Sequence, residues 1–295
     1  MPMHSLFARF GTGLGALIVA LVAAWLVSMV LAPNLMMLDF SLHPNLMPAQ
    51  VGGPDDHYTL ENFAALFGDP VHRAIFFKTI WASALVMVTT LAVTYPIAYW
   101  MAKVASPRAA ALTVAALIIP FWINEVLRTL AWYILLAFAG PLNAVLLWLG
   151  VINQPVRWFG DFGVLAGMVY AYILFMLFPI YNSVSTLDTA QVEAARNLGA
   201  STIHIHRRIV IPHAKAGIAT GCVFTFMLAA GSYVAPALLG APGSRWFTEI
   251  IYNWFFEGGN WNRGAAYALV LLALCMLVVL AALKLFRVNL ADVAK

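Results

Sequence analysis

The chain has 295 residues, 63% of them hydrophobic and only 9% charged, with a formal net charge of +4. A soluble domain carries roughly a quarter charged residues, so the composition excludes an ordinary water-soluble fold and describes a polytopic helical membrane protein. The two cysteines, Cys222 and Cys275, lie inside apolar runs without metal-ligand spacing; they read as small packing residues and imply no disulfide framework.

Several apolar runs reach the ~20 residues that cross a bilayer as a helix. Gly11 to Leu31 is too long for a signal core and lacks a clean cleavage site. It predicts an uncleaved first span with a cytoplasmic N-terminus. Asn34 to His72 is polar, and within it Tyr58 to Phe67 places Leu60, Phe63, Ala64 and Phe67 on one helical face, which predicts a short outer interfacial helix. Ile75 to Met101 is the second span, followed by a basic turn of Lys103, Pro107 and Arg108. Ala109 to about Ala139 is a long third span interrupted at Pro120, and Gly140 to Phe162 is a re-entrant or surface stretch. Gly163 to Ser185 is the fourth span. Ala214 to Leu239 is the fifth, weakened in mid-membrane by Gly231 and Pro236. A polar and aromatic outer loop, Ala241 to Arg263, precedes the sixth span, Gly264 to Phe286, and a cytoplasmic tail.

Six spans put both termini and the polar interval after Ser185 on one side of the membrane. That side holds Arg9, Lys103, Arg108, Arg196, Arg207, Arg208, Lys215, Lys284, Arg287 and Lys295; the other holds Arg73, Lys78, Arg157, Arg245 and Arg263. Ten basic residues against five is the bias that the positive-inside rule demands.

The chain carries no visible engine. It has no G-x-x-x-x-G-K-[ST] to cradle ATP and no H-E-x-x-H, and His204, His206 and His213 lack metal-ligand spacing.

The polar interval Gln191 to Ile218 has the content of a folded element. Glu193 to Leu198 are good to fair helix formers, Gly199 suits a left-handed stop, and Ser201 or Thr202 can cap a second short helix. Pro212 is expected to end that helix. The spacing is Glu193-Ala194-Ala195, three residues, Gly199, nine residues, then Ile209-Val210-Ile211-Pro212. This resembles the cytoplasmic coupling loop of type I ABC importer permeases, with Ile211 in place of the family's Leu. A bare amphipathic surface helix would need neither the glycine bend nor the Glu-Ala-Ala opening.

The resemblance implies an all-α membrane protein with six transmembrane helices and a MetI-like type I permease fold. It implies an N-terminal helix and outer loop over 1–70, a transmembrane core over 71–287 with its coupling loop at 187–213, and a tail at 288–295. Glu193, Ala194, Ala195, Gly199, Ile209, Ile211 and Pro212 would shape the loop, and Arg207 and Arg208 would meet acids on an ABC ATPase dimer. ATP and Mg would bind that partner, and no cofactor is expected in this chain. A second homologous permease subunit, a soluble substrate-binding protein and the lipid bilayer of a bacterial inner membrane complete the expected partners; nucleic acid is not among them.

Glu125 and Arg128 are the ionisable pair inside the third run, at i,i+3 spacing. Two readings stand: a structural ion pair near the outer interface, or a path for a cationic substrate lined by Asn124, Glu125, Arg128 and Trp132. Pro120-Phe121-Trp122, Arg128-Thr129-Leu130-Ala131-Trp132, Gly140 and Leu142-Asn143 resemble the spermidine/putrescine branch of the family. Ser232 and Tyr233 stand where that branch often has an acid. Gly231 and Pro236 could break the fifth helix and expose carbonyls to cations, or simply kink it for packing. Trp246, Tyr252, Trp254, Phe255, Phe256 and Trp261, with Glu249 and Glu257, form either an interfacial aromatic belt or a mouth for an amine. The competing function is an ion-coupled secondary carrier for organic cations; Glu125 alone gives it little to couple with.

Overall fold

The computed structural model describes residues 3–286, without the side chains of residues 3–10 and 12. Arg9, Arg287, Lys295 and the tail at 288–295 therefore lie outside the described side chains. The described residues form helices joined by turns: α1 (Met3–Leu26), α2 (Ala32–Ser41), α3 (Glu61–Gly68), α4 (Pro70–Lys103), α5 (Pro107–Phe121), α6 (Glu125–Leu136), α7 (Pro141–Trp148), α8 (Asp161–Ser185), α9 (Thr189–Asn197), α10 (Thr202–Ile205), α11 (Ile211–Ala230), α12 (Val234–Leu239), α13 (Phe247–Phe256) and α14 (Trp261–Phe286). Six helical stretches among them are long and apolar enough to cross a membrane.

Pro212, expected to end a helix, does not, and Pro33 is accommodated in the same way. Pro33 and Pro212 each sit in the first turn after a five-residue π segment, Val27–Leu31 and His206–Val210. In each, the residue before the proline donates five positions back, Ala32 N–H to the Val27 carbonyl and Ile211 N–H to the His206 carbonyl. The wide turn absorbs the missing proline N–H and the helix continues. The first helical rod thus extends to Ser41, ten residues beyond Leu31, and α10 runs through the π turn into α11.

The chain divides into two units. The first comprises Met1–Asp69 and Ile251–Val270. Its polar joints are two asparagines: Asn62 Nδ2 donates to the carbonyls of Ser41 (3.0 Å) and His43 (2.8 Å), and Asn262 Nδ2 to those of Phe40 (2.9 Å) and His43 (3.0 Å). These bonds set the rotation of α3. Its buried face is Asn62 and Leu66, while Leu60, Ala64 and Phe67 are exposed and Phe63 is half-buried.

The second unit comprises Pro70–Ile250 and Leu271–Lys295, and its heart is the trio α4, α8 and α11. α4 buries Phe76, Thr79, Ser83, Val86, Thr90, Thr94, Ala98 and Met101, a single helical stripe rich in hydroxyls. Thr90 and Thr94 return their hydroxyls to the carbonyls one turn back, Val86 and Thr90, both at 2.7 Å, so two of the four hydroxyls are satisfied locally. α8 and α11 approach closely at two glycines: a Cβ on Gly217 would meet the Pro179 carbonyl oxygen at 2.2 Å, and one on Gly221 would meet Met176 Sδ at 2.7 Å.

The third expected span is more broken than its sequence suggested. α5 ends at Phe121, Trp122 to Asn124 turn, and α6 begins at Glu125. The window that qualifies as a span is Glu125–Trp148; Pro107–Phe121 is a shorter apolar helix. Between α6 and α7 the backbone folds so tightly that a Cβ on Gly140 would lie 2.5 Å from the Ile134 carbonyl oxygen. Asn143, fully buried, ties this stretch down: Nδ2 donates to the carbonyls of Phe138 (3.0 Å) and Val156 (2.9 Å), and Oδ1 accepts from Val156 N (3.1 Å) and Trp158 Nε1 (2.9 Å). The Leu142-Asn143 pair is thus a structural knot.

Candidate functional site

The 187–213 loop is built from two capped helices around one bend. Asp188 Oδ1 accepts from Ala190 N at 2.9 Å and starts α9; the Ser201 hydroxyl accepts from His204 N and starts α10. Between them Gly199 N–H donates to Arg196 O and Ala200 N–H to Ala195 O, both at 3.0 Å, with Gly199 at φ +81°. This is a Schellman stop, in which the carbonyl four residues before the left-handed residue accepts the bond that closes the turn. It explains the spacing in the sequence: Ala195 supplies that carbonyl and Gly199 the left-handed residue. A Cβ at Gly199 would meet nothing within 4 Å, so the requirement there is backbone conformation, not room.

The loop is rooted in the core and offers its tip outward. Leu187, Val192, Ile205 and Val210 are buried in one cluster with Met176, Leu177, Ile180 and Val184 of α8. Glu193, Ala194, Arg207, Arg208, Ile211 and Pro212 are exposed; Ala195 and Ile209 are half-buried. The most exposed apolar side chains of the loop are two that the sequence reading passed over: Leu198 at 88% and Ile203 at 79%. They flank Gly199. Their exposure comes from the fold; their residue type alone does not set them apart in a chain that is 63% hydrophobic. A large apolar side chain held in solvent by a rigid bend is the mark of a docking surface.

The expected substrate path is brought together only in part. Asn124 caps α6, its Oδ1 accepting from Val126 N at 2.8 Å. Glu125 follows, exposed at the positive end of the same helix. Among the described residues Glu125 and Arg128 form no ion pair; the Arg128 guanidinium instead lies over the Phe121 ring, 5.1 Å from its centroid. Arg128 and Trp132 line a cleft of about 420 Å³ with Ile123, Leu127, Ala131, Leu135 and Tyr170. The Trp132 and Tyr170 rings meet at a tilt, their centroids 5.6 Å apart. The charged group in that wall is cationic, so this cleft has the wrong sign for an amine.

α12 packs against α6 and α8. Just before it, the fifth span breaks at Gly231 to Tyr233, as its sequence suggested. The Ser232 carbonyl accepts from Thr248 Oγ1 at 2.6 Å, and the Ser232 hydroxyl is buried beside the Tyr172 side chain. Tyr233 is partly exposed. Glu249 caps α13, its Oε1 accepting from Trp246 N at 3.2 Å. Burial pushes its carboxyl above the usual carboxylate range, against the pull of that N–H, Arg245 and Lys78. Trp254 carries the Arg263 guanidinium on its face at 4.7 Å. Trp246 leaves the expected belt altogether: it is 1% exposed and packs with Val86, Met168, Tyr172 and Leu239.

Spanning helices, a core-anchored polar loop with apolar knobs and a helix broken in mid-span define the membrane subunit of a transporter. The family model described as binding-protein-dependent transport system inner membrane component matches residues 14–290, and the chain belongs to that family. It is 32% identical over 281 residues to the spermidine/putrescine transport system permease protein PotB of Salmonella typhimurium (strain SL1344), covering 94% of this chain and 96% of that one. It is 33% identical over 251 residues to PotB of Escherichia coli (strain K12), covering 85% and 90%. Among solved structures, a bacterial alginate ABC transporter in complex with an alginate pentasaccharide-bound periplasmic protein matches with a TM-score of 0.74 at 17% identity, over 93% of this chain and 94% of that one. That likeness concerns the fold; the six spans and the helical architecture expected from the sequence stand.

Proposed function

We propose that this chain is a translocation subunit of an ATP-driven importer of polyamines of the spermidine/putrescine type. The observation that carries the coupling half is the 187–213 loop: a core-rooted helical bend that holds Leu198 and Ile203 out on either side of Gly199. Its occupant is an ABC ATPase dimer, which binds ATP and Mg and does the hydrolysis. Arg207 and Arg208, both exposed, face acids there. A second homologous permease subunit closes the path, a soluble binding protein delivers substrate from outside, and both termini lie in the cytoplasm. The substrate class follows from the spermidine/putrescine permeases that this chain resembles over 94% and 85% of its length.

Uptake into vesicles supplied with ATP and an ionophore tests the mechanism. Spermidine accumulation should persist, whereas an ion-coupled carrier would stop. A companion binding protein that takes a sugar or an inorganic anion and ignores spermidine would refute the substrate class.

Glu125 and Arg128 test the path. A hydrogen bond to a charged group contributes about 1.5–3 kcal/mol, and every 1.4 kcal/mol is roughly a factor of ten. Glu125→Gln is therefore expected to reduce spermidine uptake about tenfold or more without changing the amount of chain in the membrane. Arg128→Gln removes the opposing charge and should leave uptake unchanged or raised. If Glu125→Gln transports at the wild-type rate, Glu125 does not line the path.

A further inference from the structure

α4 is fastened at both ends to the parts that must move together. At one end Lys78 Nζ lies 2.8 Å from Asp161 of α8 and 3.2 Å from Ser244 Oγ, and Ser244 also donates to the Asp161 carboxylate. One residue on, Thr79 Oγ1 accepts from Phe247 N at 2.9 Å, and the Phe76 and Phe247 rings meet edge-on at 4.9 Å. Residues 244–247 link the helix after the break in the fifth span to α13. At the other end Lys103 Nζ donates to the carbonyls of Ser185 (3.3 Å) and Leu187, where α8 runs into the 187–213 loop.

Between these ends α4 meets the loop's second arm. His206 opens the π turn that carries α10 into α11, and its carbonyl accepts the Ile211 N–H that defines that turn. Its ring sits against α4 between two tyrosines one turn apart. Tyr95 Oη is 2.7 Å from His206 Nδ1, and the Tyr99 ring is 4.4 Å from the imidazole. The residue after Tyr95 is Pro96, inside α4. A proline removes a rung of the helical ladder and makes a local joint. The imidazole thus grips α4 beside its softest point, and 16 residues of helix, about 24 Å at 1.5 Å per residue, connect it to Thr79.

We infer that Tyr95 and His206 form the joint through which displacement of the 187–213 loop is passed to α4, and through α4 to residues 244–247 at its far end. They are positioning residues: neither touches substrate or nucleotide. The inference rests on the proposed coupling to an ATPase. A π turn suits the role, because such turns are rare and, inside α-helices, frequently mark functional sites.

The test uses the whole reconstituted complex, with hydrolysis measured with and without binding protein loaded with spermidine. Tyr95→Phe keeps the ring and removes the hydroxyl. His206→Leu removes the ring nitrogen that Tyr95 Oη meets, and His206→Gln keeps a polar partner there. Tyr95→Phe and His206→Leu are expected to lose stimulation by the loaded binding protein by about five- to a hundredfold, the range of ordinary allosteric couplings. They should keep basal hydrolysis, ATPase capture and the thermal midpoint. His206→Gln should retain most of the stimulation, and the Tyr95→Phe, His206→Leu double variant should be no worse than either single one. Wild-type stimulation in Tyr95→Phe, additive losses in the double variant, or a fall in midpoint that accounts for the lost activity would each overturn the joint. A wild-type complex that captures no ATPase would instead remove the reading beneath it.

Discussion

Leu198→Asp is expected to leave the chain folded and inserted while abolishing ATP-driven uptake. In the free chain Leu198 is 88% exposed, so its substitution deletes almost no internal packing, and surface changes of that kind fall within about 0.5 kcal/mol. In the proposed complex, docked in a cleft of an ATPase, the same side chain would be buried. Burying a leucine contributes about 1.5–3 kcal/mol, and a carboxylate in its place adds a desolvation penalty of several kcal/mol. The sum exceeds 3 kcal/mol, which is more than a hundredfold in affinity. Ile203→Asp, at 79% exposure on the other side of the bend, should behave alike. The measurement is co-purification of the ATPase with tagged permease, alongside the membrane content and thermal midpoint of the permease. An undiminished yield of ATPase with Leu198→Asp would show that the bend docks elsewhere or not at all.

The contrast between these two residues and the Glu-Ala-Ala motif shows what a sequence can disclose. Ala195 and Gly199 were legible because their spacing is a backbone requirement, Ala195 O and Gly199 φ closing one Schellman turn; Glu193 and Ala194 were legible through the family resemblance. Leu198 and Ile203 were not, because apolar residues are everywhere in a chain that is 63% hydrophobic, and only the fold says which of them face water. The spans were legible from length and hydropathy. The helix break at Gly231 was legible from glycine and proline together. The continuity of α10 into α11 was not, because Pro212 argues for a stop unless one knows that the preceding turn widens to i→i+5. Asn124 and Glu249 are polar residues in apolar surroundings, which pointed to a substrate; the structure gives each a capping bond to a backbone N–H. Trp246 looked like a belt residue by type and loop position, yet α4, α8, α11 and α12 supply its surroundings.

The second large effect is expected in the membrane, at Gly217. α11 carries Gly217-Ile218-Ala219-Thr220-Gly221, a G-x-x-x-G whose two glycines lie on one face, and that face meets α8 at Pro179 and Met176. The Gly217 contact is with backbone: its Cβ would lie 2.2 Å from the Pro179 carbonyl oxygen and 2.8 Å from its carbon, besides 2.4 Å from Ser183 Oγ. No rotamer change relieves a clash with a carbonyl, so Gly217→Ala must push the two helices apart. Overpacking of this kind costs about 1–3 kcal/mol, and backbone contact places it at the upper end. At Gly221 the nearest atom is Met176 Sδ, the middle of a flexible side chain, but Met176 O and Cα follow at 3.1 and 3.2 Å; Gly221→Ala should cost less. Gly68, with nothing within 4 Å, is the control. Gly68→Ala should be neutral or slightly stabilising, since alanine exceeds glycine in helix propensity by about 1 kcal/mol. Thermal midpoints of the three variants in detergent should fall in the order Gly68→Ala, Gly221→Ala, Gly217→Ala, from highest to lowest. Because α8 and α11 also root the 187–213 loop, Gly217→Ala should lose transport out of proportion to its loss of stability. If its midpoint matches that of Gly68→Ala, the two helices do not cross at this glycine.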